Sequence, residues 1–165
     1  MVRKQNTEIE RKFLVKTLPD LSNLKPIRYE RHYLNKDTGL EKRIQKKGDN
    51  YELEELQSEL GLSRVKFKKE ITLKEFEQLK KQAREAIIRD SYQISDNPQV
   101  SIKIYHGRFE GLIRVEVEFS SEEQAKDFQP LQWFGLEITD TPLARDSSLL
   151  GLSNEHLKKL LSSFH

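Results

Sequence analysis

Two short rows of alternating glutamates are the residues in this sequence best suited to chemistry. Glu8 and Glu10 are two residues apart, and Glu116 and Glu118 repeat that spacing near the other end of the chain. In a β-strand, residues two apart point to the same face of the sheet. If the two strands are neighbours, four carboxylates converge, which is enough to bind one hard divalent cation such as Mg²⁺ or Mn²⁺.

Basic residues near these glutamates follow the same alternation. Lys12 continues the face of Glu8 and Glu10, and Arg114 precedes Glu116 on its face. A half-exposed strand explains such rows if the charged face meets water and the apolar face meets the core. The alternative is a barrel whose apolar faces point outward beneath covering helices, so that the charged rows line an internal tunnel. Both interpretations fit the pattern.

The elements that must position these residues are short strands separated by turns. Eight segments alternate as strands do, namely 7–15, 28–34, 40–46, 51–56, 64–71, 87–95, 100–105 and 112–119. Turn residues separate several of them, at 36–39, 47–50, 95–98 and 106–107. About eight short strands with tight turns predict a sandwich or a closed antiparallel barrel.

Helical spacing is confined to three segments. Thr72 and Glu75 form a capping box before an apolar pattern of helical period, a second helix is expected from near Ser121 to Pro130, and an amphipathic stripe follows Ser153. No repeat or linker divides the chain. We therefore expect a single domain over residues 1–165, with an α+β fold in which flanking helices and a C-terminal helix cover an antiparallel barrel.

Composition limits the classes of partner. The 165 residues include 29 basic and 27 acidic side chains, and the net charge of +2 rules out a strong whole-molecule field. The absence of cysteine excludes a catalytic cysteine, a thiolate metal site and a disulfide framework. With no signal peptide visible and no apolar run near the roughly 20 residues of a membrane span, we expect a cytoplasmic protein with no membrane partner. The oligomeric state stays open.

Several segments, taken in order, resemble one known family. The run from Glu8 to Lys12 (EIERK) matches the Glu-x-Glu-x-Lys signature of the CYTH domains, also called triphosphate tunnel metalloenzymes. Further landmarks follow in the family's order to about residue 151: Tyr33-Leu34, Arg43 before Gly48 and Tyr51, Gly61-Leu62-Ser63-Arg64, an Ile-Thr helix start, VEVEF at 115–119 and WFGLEIT at 133–139. The chain looks closest to short bacterial members that resemble inorganic tripolyphosphatases; other members are thiamine triphosphatases and class IV adenylyl cyclases.

This resemblance implies a closed barrel of about eight strands around a tunnel that binds triphosphate. Basic side chains would bind the phosphate oxygens. Acidic rows would hold Mg²⁺ or Mn²⁺, which polarises the phosphoryl group and positions or activates water. Carried over by position, the expected metal ligands are Glu8, Glu10, Glu116 and Glu118. The anion-binding residues that the resemblance implies are Lys12, Arg43, Arg64 and Arg89, and we expect this chain's own inward Lys66, Lys68, Lys103 and Arg114 to add to them.

Several tunnel positions depart from the family pattern. The family's Arg-x-Glu-x-Glu becomes RVKFK at 64–68, so that two acids turn into bases, and its Arg-x-Arg becomes RIQ at 43–45. The lysine expected after the Tyr51 strand is absent. The family's Lys-x-Arg becomes RDS at 89–91, and the aspartate of the following strand becomes Lys103. Near the C-terminus, Asp146 takes the place of an asparagine.

These reversals predict exchanged ion pairs inside the barrel. Opposite charges across neighbouring strands contribute roughly 0.2–1 kcal/mol per pair, whereas like charges are unfavourable. Lysines inside the barrel would then neutralise the carboxylates, and no metal cofactor would be needed. The expected neighbours are Glu52 and Glu54 with Lys66 and Lys68, and Lys103 with Glu116 or Glu118.

Three functions are compatible with this pattern. The first is a divergent tunnel protein that binds a phosphate-rich small anion, such as tripolyphosphate or a nucleoside triphosphate, with hydrolysis reduced or lost. The second is an active Mg²⁺- or Mn²⁺-dependent triphosphatase, against which the missing second acidic row argues. The third is a non-catalytic structural or protein-interaction module, for which the sequence offers little.

Other motifs add no further site. The four histidines lack metal-ligand spacing, and neither a glycine-rich phosphate loop nor a serine-hydrolase motif is present. The run KFKK at 66–69 has the composition of a basic and aromatic nucleic-acid patch, but in a strand its residues divide between two faces. We therefore expect no nucleic-acid partner.

Overall fold

Nine strands form one antiparallel sheet, accompanied by four helices. The computed structural model describes residues 4–35, 40–58, 63–83 and 85–163. The strands are β1 (Lys4–Val15), β2 (Ile27–Asn35), β3 (Leu40–Lys47), β4 (Asn50–Ser58), β5 (Ser63–Glu70), β6 (Ala86–Asp96), β7 (Gln99–Tyr105), β8 (Ile113–Glu118) and β9 (Phe134–Glu137). The helices are α1 (Leu73–Lys80), α2 (Glu122–Asp127), α3 (Asp146–Leu150) and α4 (Asn154–Ser163), and Gly107–Phe109 form a 3-10 turn.

The first eight strands close into a barrel. Their order around it is β5, β4, β3, β2, β6, β7, β8 and β1, and β1 pairs with β5 to complete the ring. The barrel can close because β1 is long enough to pair with two strands: its residues 4–9 pair with β5, and its residues 10–14 pair with β8. The short strand β9 pairs with the last residues of β1. The predicted α+β fold, with a closed antiparallel barrel and a C-terminal helix, is confirmed.

Apolar side chains cover the outside of the barrel. Phe13 and Val115 pack with Ala125 of α2 in one cluster, and Ile44 of β3 packs with Phe76 of α1 in another. Because successive strand residues alternate between faces, burial of these side chains on the outside directs their charged neighbours inward. The inside-out interpretation is therefore confirmed over the half-exposed one.

A third apolar cluster closes one end of the barrel. Leu14, Ile87 and Tyr105, which end the inward rows of their strands, pack with Leu149 of α3 and Leu157 of α4. This cluster seats the C-terminal helices against the barrel end. The first residue of α3, Asp146, is consequently buried at the inner limit of the charged rows.

Local signals fixed several element boundaries. The hydroxyl of Thr72 accepts from the Glu75 amide at 3.1 Å, and the Glu75 carboxylate accepts from the Thr72 amide at 3.2 Å, which completes the predicted capping box. Ser121 caps α2 as expected. In the β3–β4 turn, Gly48 has a φ of 59°, a conformation that favours glycine.

Two elements were not predicted, and some predictions fall outside the described residues. Neither β9 nor α3 was expected, since segments of four and five residues are too short to show a clear strand or helix pattern in the sequence. The predicted turn at 36–39 and the landmark residues 61–62 lie outside the described residues. Among the described helices, none combines the length and apolar character of a membrane span. The cytoplasmic location stays a prediction.

Candidate functional site

A charged cavity of about 180 Å³ lies inside the barrel. Eleven basic and seven acidic side chains line it, so its formal charge is more positive than that of the whole chain. The basic residues are Lys12, Arg31, Arg43, Lys47, Arg64, Lys66, Lys68, Arg89, Lys103, Arg114 and Arg145. The acidic residues are Glu8, Glu10, Glu41, Glu54, Glu116, Glu118 and Asp146. All twelve predicted site residues therefore face one cavity.

Asp146 is the centre of the most buried part of this network. One of its oxygens accepts from Arg31 at 3.0 Å and lies 3.4 Å from Arg89, and the other accepts from Arg114 at 3.2 Å and from the Tyr105 hydroxyl at 2.6 Å. Burial raises the pKa of Asp146, but the three guanidiniums outweigh it and hold that pKa well below its ordinary value. The carboxylate is thus ionised and fixes three arginines in place.

Glu116, one of the predicted metal ligands, is bound by arginines. Its Oε2 accepts from Arg114 Nη2 at 2.6 Å and Nε at 3.2 Å, and from Arg89 Nη1 at 3.2 Å. Burial raises the pKa of Glu116, and Arg114 and Arg89 lower it by more, so the pKa lies well below the ordinary value. A metal ion at this carboxylate would compete with two guanidiniums.

The opposite wall, formed by β3, β4 and β5, contains the exchanged pairs. Lys66 Nζ lies 2.6 Å from Glu8 and 3.3 Å from Glu54, and Arg43 Nε donates to Glu54 at 3.0 Å. Lys68 pairs with Glu52 at 2.9 Å. The predicted exchange of Glu52 and Glu54 with Lys66 and Lys68 is confirmed, and the Lys66 ammonium lies between two carboxylates, as a bound cation would.

Lys103 approaches Glu116 closely enough for each charge to shift the pKa of the other group, as predicted, but the two side chains form no ion pair. The Lys103 ammonium donates to Ser91 Oγ at 2.7 Å, and the described residues give it no ion pair. The register explains this, because Lys103 lies opposite Ser91 on β6 and opposite Arg114 on β8. Burial lowers the pKa of Lys103 to about 7, with Glu116 opposing the shift and Arg89 adding to it.

Glu10 and Glu118 lie directly opposite each other on β1 and β8. Glu118 forms no hydrogen bond or ion pair with any part of the chain that the structure describes, and the nearest cation to Glu10 is the Lys12 ammonium at 4.0 Å. That ammonium donates to the Ala144 carbonyl at 2.7 Å instead. Burial, together with the nearby charges of Glu10 and Glu8, raises the pKa of Glu118 to about 7.

These observations test whether the residues fit a divalent metal. Within the described residues, no three or more acidic or histidine side chains are grouped as a metal site. Glu8 and Glu116 are held by basic side chains at 2.6 Å, whereas Glu10 has only the Lys12 ammonium at 4.0 Å and the Glu118 carboxylate forms no ion pair among the described residues, so Glu10 and Glu118 are the least compensated oxygen donors of the four. Mg²⁺ commonly binds through one or two carboxylates together with water and substrate phosphates. The pair fits such an ion; the four-glutamate site stays a prediction.

Two buried donors in the cavity wall are without partners. The Nε atoms of Arg64 and Arg89 have no hydrogen-bond acceptor among the described residues, although both side chains are buried. Arg64 uses Nη2 to bind Glu41 at 2.8 Å, and Arg89 uses Nη1 to bind Tyr105 at 3.1 Å. An unpaired buried donor is costly, so these atoms are suited to an anionic ligand.

The predicted site omitted several residues that the structure brings into the cavity. Arg31, Glu41 and Arg145 line it with Asp146. Arg31 shares the inward face of its strand with Tyr33, and Glu41 shares one with Arg43, so alternation alone was the signal for both. Asp146 had no such signal, because it belongs to the unpredicted helix α3.

Comparison with known proteins supports the same family. An inorganic triphosphatase from Nitrosomonas europaea is 36% identical over 147 residues, which cover 87% of this chain and 96% of that protein. The chain belongs to the CYTH family of triphosphate tunnel proteins. A crystal structure of an inorganic triphosphatase of this family superposes with a TM-score of 0.63 at 29% identity, over 86% of this chain and 95% of that one.

More distant structures share the fold of the family. A proposed adenylyl cyclase from Hippeastrum with a dominant triphosphatase activity matches with a TM-score of 0.51 at 14% identity, over 72% of this chain and 82% of that one. A conserved protein from Pyrococcus furiosus matches with a TM-score of 0.55 at 17% identity, over 90% of this chain and 93% of that one. No family model matches the chain.

Proposed function

We propose that this protein binds a phosphate-rich small anion, with inorganic triphosphate as the first choice, inside the barrel. The observation that carries the proposal is the pair of unpartnered, buried guanidinium donors, Arg64 Nε and Arg89 Nε, in a cavity whose lining has a surplus of basic residues. Triphosphate offers several charged oxygens to such donors. The name of the Nitrosomonas relative supports inorganic triphosphate over a nucleotide.

The expected binding residues differ in how far nearby carboxylates already balance their charge. Arg43, Lys66, Lys68 and Arg114 each contact a carboxylate within 3.3 Å, so their charge is already partly balanced. In the free protein they shape the cavity and would bind phosphate at the cost of weakening an ion pair. Arg64 and Arg89 also contact carboxylates, at 2.8 Å and 3.2 Å, but each keeps a buried Nε without an acceptor among the described residues, and the Lys103 ammonium has only the Ser91 hydroxyl there. We expect these three residues to supply most of the binding.

A divalent cation would be held by Glu10 and Glu118, with oxygens of the bound phosphates completing its coordination. Mg²⁺ or Mn²⁺ bound there supplies Lewis-acid polarisation of a phosphoryl group. The chain's own residues orient the anion and exclude bulk water. Because Glu8 and Glu116 are bound by lysine and arginine, we propose that hydrolysis is slower than in relatives with a complete acidic set, or is lost.

An active metal-dependent triphosphatase is the second candidate. The carboxylates of Glu10 and Glu118, which lie opposite each other, favour it, since a cation would relieve their repulsion. The two candidates share the binding step and differ in turnover.

Calorimetric titration with tripolyphosphate, with EDTA and then with Mg²⁺ or Mn²⁺, tests the shared step. The expected result is binding with EDTA already present, weakened at least tenfold in a variant carrying Arg64→Met, and unaffected by Lys69→Met on the outer face of β5. Absence of binding under all three conditions would overturn the proposal. Phosphate release from tripolyphosphate and ATP then separates the candidates, because Mg²⁺- or Mn²⁺-dependent turnover that Glu118→Gln abolishes establishes the second.

A further inference from the structure

Arg108 lies outside the barrel and joins three segments at the end that the C-terminal helices close. It belongs to the 3-10 turn that follows β7. Its Nη1 donates to the Leu152 carbonyl at 2.7 Å and to Asn154 Oδ1 at 3.2 Å, and its Nε and Nη2 donate to Glu85 Oε1 at 3.3 Å and 3.2 Å. Glu85 immediately precedes β6, Leu152 links α3 to α4, and Asn154 begins α4. One side chain therefore ties the ends of β6 and β7 to the C-terminal helices.

The same guanidinium covers the C-terminal end of α3. Arg108 Nη2 donates to the carbonyls of Leu149 and Leu150, the last two residues of the helix, at 3.4 Å and 3.5 Å. The last carbonyls of a helix lack partners within it, and a cation at that end is favourable. The neighbouring Phe109 is buried in the same apolar cluster as Leu149. Arg108 and Phe109 together restrain this end of α3.

The position of α3 depends on such contacts because the helix is short. It has five residues, and its N-cap makes no side-chain hydrogen bond into the helix. A helix of this length is not stable by itself, so tertiary contacts must hold it. Its first turn is held by the ion pairs of Asp146 and by the Ser147 hydroxyl, which donates to Glu41 at 2.5 Å. Its last turn is held by the packing of Leu149 and by Arg108.

The elements that Arg108 ties together are those whose side chains meet at Asp146. Arg89 of β6 lies 3.4 Å from one oxygen of Asp146, and the Tyr105 hydroxyl of β7 donates to the other at 2.6 Å. Asp146 itself begins α3. About one turn of helix separates Asp146 from the carbonyls that Arg108 binds. A shift at the last turn of α3 is therefore passed on to the Asp146 carboxylate.

We propose that Arg108 is a positioning residue for the cavity, because it holds α3 where Asp146 fixes its three arginines. These are Arg31, Arg89 and Arg114. Donors that are fixed before binding lose less conformational freedom when an anion binds. The inference rests on the proposed function only where it concerns affinity, since the order of the three guanidiniums can be measured without an anion.

The test compares two variants that remove equivalent contacts outside the cavity, Arg108→Gln and Arg11→Gln. Arg11 also donates to carbonyls at a helix end, those of Ala125 and Phe128, at 2.8 Å and 3.0 Å. Its guanidinium also binds a glutamate, Glu137, at 2.7 Å. The helix that it covers is α2, which contributes no residue to the described lining of the cavity. If Arg108 only stabilised the fold, the two variants would behave alike.

The first measurement is the NMR spectrum of the guanidinium N–H groups in isotope-labelled protein without ligand. Arg108→Gln should shift or broaden the signals of the three arginines bound to Asp146, whereas Arg11→Gln should leave them as in the wild type. Arg108→Lys keeps a cation at the end of α3 but cannot reach all the partners of the arginine, so it should show the same change to a smaller extent. It replaces the glutamine variant if that one does not fold. Unchanged signals in the Arg108 variants would overturn the inference.

The second measurement is calorimetric titration with tripolyphosphate in EDTA. Arg108→Gln should bind at least fivefold more weakly than the wild type, and Arg11→Gln within twofold of it. In an Asp146→Asn background, which has the residue of the family pattern at this position, Arg108→Gln should change the affinity less than twofold, because the carboxylate through which Arg108 acts is gone.

The outcomes separate this inference from the proposed function. An Arg108→Gln variant that binds within twofold of the wild type, or a fivefold loss that persists in the Asp146→Asn background, would overturn the positioning role alone. A wild type that binds no tripolyphosphate would overturn the proposed function, and the guanidinium signals then decide whether Arg108 positions the arginines of the cavity.

Discussion

Replacement of Lys103 by methionine should stabilise the free protein. Burial lowers the pKa of this lysine from 10.5 to about 7. At about 1.36 kcal/mol per pKa unit, keeping it buried at pH 8 costs about 3 kcal/mol, because the unfolded lysine is charged there and the folded one is mostly neutral. Methionine removes that cost.

Two losses offset part of the gain. The variant forfeits the hydrogen bond to Ser91, about 1 kcal/mol, and leaves the half-buried Ser91 hydroxyl without that partner, about 0.5–1 kcal/mol more. We therefore expect Lys103→Met to be more stable than the wild type by about 1–2 kcal/mol at pH 8. Because the folded pKa is below the unfolded one, the wild type regains stability relative to the variant as pH rises from 7 towards 10.5.

Urea unfolding at pH 7, 8 and 9.5 measures both the sign and the pH dependence. The gap between Lys103→Met and the wild type should be widest at pH 7 and close to zero at pH 9.5. Lys69→Met is the matched control and should show no such trend. A Lys103→Met variant that is less stable than the wild type at pH 7, or a gap that is constant over this range, would refute the reasoning.

Three further substitutions probe the rest of the cavity. Glu118→Gln should stabilise the protein by about 1 kcal/mol at pH 8, a value discounted because Glu118 is only half-buried. The gain should vanish towards pH 4.5, because a raised carboxyl pKa penalises folding only at pH values where the group ionises. Urea unfolding measures the gain, and Glu123→Gln is the control. Lys66→Gln removes the ammonium between Glu8 and Glu54, so Mn²⁺ should bind at least tenfold more tightly in equilibrium dialysis. An unchanged Mn²⁺ affinity would contradict the view that the Lys66 ammonium takes the place of a bound metal ion. Asp146→Ala leaves three buried guanidiniums without their shared anion and should cost about 3–5 kcal/mol in urea unfolding, whereas Asp127→Ala on the exposed end of α2 should cost little.

Alternation was enough to predict the barrel and the faces of its strands. The rows through Glu8 and Glu116 point inward because Phe13 and Val115 are buried on the outside. A strand period of two fixes which residues share a face without any knowledge of partners. The same rule placed Lys66 in the cavity, although the family pattern has an acid there.

The partners of those inward residues depended on register, which alternation does not give. Lys103 was expected to pair with Glu116, but β7 and β8 pair so that Ser101 lies opposite Glu116 and Lys103 lies opposite Arg114, which leaves Glu116 a diagonal neighbour that forms no ion pair with Lys103. A shift of two residues keeps the face and changes every partner. Strand alternation could not predict that Asp146 lines the cavity, because tertiary packing of a five-residue helix brings it there.

The three charge reversals on cavity strands differ in whether a neighbouring strand supplies a partner of opposite charge. Lys66 and Lys68 replace acids, and each is matched by a glutamate of β4 within 3.3 Å, so the fold keeps its ion pairs in exchanged form.

At the pair of β6 and β7, the family's arginine and aspartate become Ser91 and Lys103, which lie opposite each other. A compensated exchange would have placed an acid at 91, but a hydroxyl is there, and among the described residues Lys103 forms no ion pair, although the charges of Glu116 and Glu10 act on it. A reversal that preserved only the fold would not retain a buried ammonium of lowered pKa, because an apolar side chain would be more stable. The cost of Lys103 would be offset if an anion from solution completed the pair, and the proposed function supplies such an anion.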